Sequence, residues 1–143
     1  MAALLCLPSA AIAQSDLSAE LADTLAPVAE VESLGATLTC TALYRSLSLL
    51  FGSQSENFED FQSREGAMAS LSGVLWARSP DGAGQSPDDV FAVLLPLINA
   101  ATDQYLAHMD ALSLIDGTPF DDQLLGQIDY CNAIFDSLDT GAE

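Results

Sequence analysis

Residues 86–114 read SPDDVFAVLLPLINAATDQYLAHMDALSL, and this stretch decides the fold class. Ser86 offers an N-cap hydroxyl, Pro87 lacks an N–H where a first helical turn needs none, and Asp88 and Asp89 put carboxylates where the helix dipole favours negative charge. From there Val90, Leu94, Leu97 or Ile98, Ala101, Tyr105, Met109 and Leu112 recur every three or four residues, the spacing of one helix face, as far as about Leu114. The stripe continues past Pro96, so the proline predicts a kink rather than an end. Gly117 predicts the stop, and Thr118-Pro119-Phe120-Asp121 repeats the start signal.

Working outward, the same period fills the chain. Toward the C-terminus Leu124, Ile128, Cys131, Phe135 and Leu138 form one apolar seam. Upstream, Ser79 to Gln85 (SPDGAGQ) is dense in Gly, Pro and Asp and predicts a loop. Before it, a helix is expected from a capping box at Ser53 and Glu56 to about Arg78, with Phe58, Phe61, Met68, Leu71 and Leu75 inward and Asp60 one turn before Arg64. Gly66 and Gly73 weaken that helix or permit close approach. A further helix is expected from about Val28 to Phe51, with Cys40, Leu43, Leu47 and Leu50 on its inner face and Gly52 at its end. Leu17, Leu21 and Leu25 mark a short helix capped by Ser15 or Ser18 and broken at Pro27. Alternating β-branched runs are absent, while Ala and Leu dominate. The expected fold is all-α: an up-and-down four-helix bundle with a short extra N-terminal helix.

The cysteines bear on topology and compartment. Residues 1–13 (MAALLCLPSAAIA) resemble a secretory signal peptide with Ala11 and Ala13 before a cut at Gln14, although no Lys or Arg precedes the apolar run, as if its start were truncated. Removing it takes Cys6 away and leaves Cys40 and Cys131 as an even pair on two apolar faces. In an oxidising space such a pair predicts one disulfide stapling the first and last main helices. Residues 14–143 then form a single domain, periplasmic or secreted. No uninterrupted apolar run approaches the ~20 residues of a membrane span.

Charge excludes other classes. The chain has 21 acidic residues against Arg45, Arg64 and Arg78 and no lysine, a formal net charge of -18. Nucleic acid is bound by clustered cations that displace counterions, and none are clustered here. An anionic membrane surface is disfavoured for the same reason. Disorder does not fit, because half the residues are hydrophobic and they recur with a helical period. So acidic a surface suits a saline setting, where salt screens self-repulsion.

The catalytic inventory is thin. No G-x-S-x-G, phosphate-binding or dinucleotide glycine motif occurs, and no C-x-x-C-H would attach haem. The sequence therefore predicts no catalytic residue and no cofactor. The expected function is a non-catalytic exported acidic module that binds a protein partner or a small apolar ligand through Tyr44, Trp76, Tyr105 and Tyr130. Trp76 is expected to be half exposed, since it sits at a helix end beside the loop. The alternative is a metal-handling protein or enzyme in which His108, the only histidine, is joined by Asp103 and Asp110. The adjacent pairs Asp88–Asp89 and Asp121–Asp122 are explained by the helix dipole without a ligand.

Overall fold

The computed structural model describes residues 16–140, with the side chains of the last two left aside. The expected leader at 1–13, its Cys6 and the cut at Gln14 lie outside the described residues. Five α-helices follow one another: α1 (Leu17–Leu25), α2 (Leu34–Phe51), α3 (Phe58–Arg78), α4 (Pro87–Asp116) and α5 (Asp122–Thr140). A short 3-10 turn, Ala26–Val28, follows α1 where Pro27 denies the chain an amide donor. The protein is all-α, a helical bundle with a disulfide between Cys40 of α2 and Cys131 of α5. Such a bond persists in oxidising compartments.

Helix ends follow their caps where the cap is local. Ser86 Oγ accepts the Asp89 N–H at 3.2 Å and Pro87 opens α4. Gly52 and Gly117 end α2 and α4 with φ of 76° and 72°, a left-handed backbone that glycine adopts without Cβ strain. Three expected starts are corrected. Asp16, rather than Ser15 or Ser18, caps α1 by accepting the Ser18 N–H. The Ser53/Glu56 box does not open α3, which begins at Phe58 after a turn in which Ser55 Oγ accepts the Asn57 N–H. At α5 the Thr118 hydroxyl only takes the Phe120 N–H, and Asp121 caps the helix by accepting the Leu124 N–H at 2.8 Å.

The main departure from expectation is the place of α2. Cys40, Thr41, Ala42, Leu43 and Tyr44 are all buried, so the middle of this helix is covered on every side and forms the centre of the bundle. Leu50, assigned to its inner face, is instead exposed. Small residues let the neighbours close in: Ser46 Oγ lies 3.4 Å from the Thr102 carbonyl oxygen, where Ala42 and Ser46 of α2 face Ala101 and Thr102 of α4. The buried Thr41 and Ser46 hydroxyls donate to the Thr37 and Ala42 carbonyls of their own helix, so the close approach leaves these two satisfied. α2 runs antiparallel to α3, with Ser72 Oγ donating to Thr37 Oγ1 and Arg45 beside Glu65. It runs parallel to α4, with Leu34 and Leu38 among Leu94 and Ile98, and Leu43 and Leu47 among Tyr105 and Met109. α3 packs mainly on α2 and meets α4 much less extensively.

By length and mean hydropathy alone α2 and α4 fall within the range of membrane-crossing helices, although polar residues interrupt the apolar run in both. In α2 that composition goes into the core. α4 is less covered, and its Phe91, Leu95, Leu114 and Ile115 are exposed. Phe51 stacks on Phe61 and Phe120 at the end of the bundle where α2 finishes and α5 begins.

Candidate functional site

The loose seam between α3 and α4 is an open groove with a volume of about 330 Å³. Its α3 wall comes from Ser70, Gly73, Val74 and Ala77, which share one face at helical spacing and are all small, so they leave room. Its α4 wall is Pro87, Val90 and Phe91, and Gln85 closes the loop end. A Cβ on Gly73 would stand 3.9 Å from Val90 Cγ1, an ordinary contact, so the missing side chain widens the groove without being required by a clash. Val74, Phe91 and the neighbouring Leu95 are 43%, 44% and 45% exposed, a continuous apolar strip that the fold leaves uncovered. No charged side chain lines the groove.

The loop that closes the groove is folded onto Trp76. The indole N–H donates to Gln85 Oε1 at 2.8 Å, Ser79 Oγ donates to the Trp76 carbonyl at 2.6 Å, and the Gly82 N–H donates to Ser79 Oγ at 3.1 Å. Ser86 and Pro87 then start α4 directly, so the cap that fixes the helix also fixes the groove wall. Asp88 and Asp89 stand exposed in that first turn, and Asp81 is exposed in the loop.

The aromatics singled out in the sequence do not converge. Trp76 is buried at 7% exposure beneath the loop, which corrects its expected half-exposed position. Tyr44 and Tyr105 are wholly buried and hold α5 in place: Tyr44 donates to Asn132 Oδ1 at 2.7 Å, and Tyr105 donates to Gln127. Arg64 Nη1 reaches the same Asn132 oxygen at 3.1 Å, its guanidinium lying over the Phe135 ring. Tyr130 is 55% exposed on α5. None of the four lines the α3/α4 groove.

His108 Nε2 lies 3.1 Å from Asp121 Oδ2, while Asp121 Oδ1 caps α5. The carboxylate that meets His108 is therefore Asp121, not Asp103 or Asp110, both of which are exposed. Among the described residues no three metal-ligating side chains come together. The pair reads as a tie between α4 and the start of α5.

Burial pushes both the Tyr105 and Tyr44 phenols above their ordinary value of 10.0, and the Arg64 contact offsets part of the effect at Tyr44. The neutral phenol is the form the fold favours. Stability from these groups is fully present below about pH 10 and is lost as pH rises beyond it, because the unfolded chain releases the proton first. Alkaline unfolding followed by circular dichroism should track the appearance of phenolate absorbance. Tyr105→Phe should flatten that alkaline limb while costing about 1 kcal/mol at neutral pH through loss of the Gln127 contact. An unchanged alkaline limb in the variant would refute the assignment.

The groove residues were missed in the sequence because residues 90–98, VFAVLLPLI, are apolar without interruption. Phe91 and Leu95 run one position behind the inward row Val90, Leu94 and Ile98, and that double row is the signal that was available. Comparison with protein-family models, curated proteins and solved structures returns no match.

Proposed function

We propose that this protein is an exported, non-catalytic acidic binding module that takes up an apolar group of a partner in the groove between α3 and α4. The observation that carries this reading is the uncovered strip of Val74, Phe91 and Leu95 beside a cavity of about 330 Å³. Half-exposed apolar side chains on either side of a rigid trough gain by being covered, at about 25 cal/mol per Å² of apolar surface removed from water. The buried disulfide and the leader-like residues 1–13 support export to the periplasm or beyond.

The neutral dye Nile red tests the reading. The protein should bind it with a blue-shifted emission, and Phe91→Ala or Val74→Ser should weaken that binding about fivefold, the equivalent of about 1 kcal/mol. Both residues are exposed, so the variants should keep the parent's circular dichroism and melting temperature. Dye binding unaffected by either substitution would refute the assignment of the groove.

A further inference from the structure

We infer that the groove seats an amphipathic helix of a protein partner whose flanks carry Lys and Arg, its apolar edge between α3 and α4 and its cations toward the acidic rim. This rests on the groove being the binding site and adds the chemistry of what fills it. Charge complementarity is the main argument. Of the three cations in the chain, Arg64 is 3.0 Å from Asp60 and Arg45 is 4.0 Å from Glu65. Arg78 shares a neighbouring cavity with Glu30, Glu32 and Asp81. None of them lines the groove, whereas exposed Asp88, three residues before Phe91 and seven before Leu95, shares their edge of α4, and exposed Asp89 follows it in the same turn. The α4 dipole contributes about half a positive charge at that terminus, so two carboxylates leave the turn net negative.

The shape argues for a helix. α3 and α4 are both antiparallel or parallel partners of the same central α2, so they run antiparallel to each other and form a trough. A third helix seats in such a trough at about 8–10 Å from its neighbours. Phe91 and Leu95, one turn apart, present the row against which apolar residues at i, i+3, i+4 and i+7 of a ligand helix would pack. A second copy of this chain is disfavoured by a charge of -18 on each molecule. A cationic partner would be drawn in over a Debye length and held at the apolar strip.

The test uses the full chain and labelled peptides of about 18 residues, roughly five helical turns. One is an amphipathic Leu/Lys helix and the other is the same sequence with Glu for Lys. The Leu/Lys peptide should bind at least about tenfold tighter than the Leu/Glu peptide, and raising salt from about 0.05 M to about 0.5 M should weaken it about tenfold. Phe91→Ala should cost about fivefold and the Asp88→Asn, Asp89→Asn double variant about threefold. Equal affinity for the two peptides would overturn the inference while leaving the groove intact, provided Nile red still depends on Phe91. Binding of Leu/Lys that ignores Phe91→Ala would overturn it as mere attraction to a polyanion. A peptide of residues 1–13, which holds no cation, binding as tightly would overturn it in favour of the chain's own N-terminal segment. Phe91-dependent binding of phosphatidylcholine vesicles without peptide binding would overturn it in favour of a membrane surface. Loss of Phe91 dependence for dye and peptides alike would bring down the groove reading itself.

Discussion

Replacing Cys40 and Cys131 by alanine is expected to lower the unfolding free energy by about 4 to 5 kcal/mol, the chain-entropy value for a loop as long as the 91-residue separation closed here. The structure gives a second reason for a large effect. Of the described α5 side chains only Leu124 and Cys131 are fully buried; Ile128, Ile134 and Phe135 are partly buried against the core, and polar contacts run to Tyr44, Arg64 and Tyr105. Single domains are commonly stable by about 5 to 15 kcal/mol, so losing the cross-link removes a large share. Urea unfolding of the double variant should show a midpoint well below that of the parent, with α5 amides the first to exchange. Both sulfurs are at 0% exposure, so a thiol reductant should act slowly on the native protein and quickly once urea opens it. An unmoved urea midpoint would mean that packing alone holds α5.

The second large effect is expected at Gly82→Ala, at about 3 kcal/mol of destabilisation. A Cβ there would fall 2.1 Å from the Trp76 carbonyl oxygen, 2.7 Å from its carbon and 2.9 Å from Cδ1. Two of these atoms are backbone at the end of α3, so no rotamer change relieves the contact and the loop must lift. Lifting it breaks the Gly82–Ser79 and Trp76–Gln85 hydrogen bonds and wets the only tryptophan, whose emission should shift to the red. Gln85 and Pro87 would move with it, so Nile red binding should weaken in parallel. Gly35→Ala is the matched control. It lies inside α2 with nothing within 4 Å of the added methyl, and helix propensity predicts a gain of up to about 1 kcal/mol. Equal stability of the two variants would disprove the close approach at Trp76.

These two glycines show where sequence reasoning reaches its limit. Their neighbours place Gly82 in a loop and Gly35 in a helix, but the close approach at Gly82 comes only from the return of the loop onto α3. The same holds at Trp76, placed half outside by its position at a helix end and drawn inside by Gly82 and Gln85 from the far side of the loop. His108 was matched with the carboxylates nearest in sequence, Asp103 and Asp110. Its partner, Asp121, lies across the turn into α5.

What the sequence determined by itself is local or periodic: helices without strands, the start of α4 at Ser86 and Pro87, the stops at Gly52 and Gly117, and the pairing of two cysteines that lie on apolar faces. Caps act within one turn and a hydrophobic stripe repeats every few residues, so both are written in neighbouring positions. The covered row of α4, Val90, Leu94, Ile98, Ala101, Tyr105 and Met109, is the one its spacing names; what only the tertiary structure decided is that the second apolar row beside it stays uncovered. Small side chains on α2 and α4 bring those helices together, α3 packs on α2 but only loosely on α4, and Phe91 and Leu95 remain in the open. That outcome depends on how the volumes of three helices add in space, which no spacing along one of them encodes.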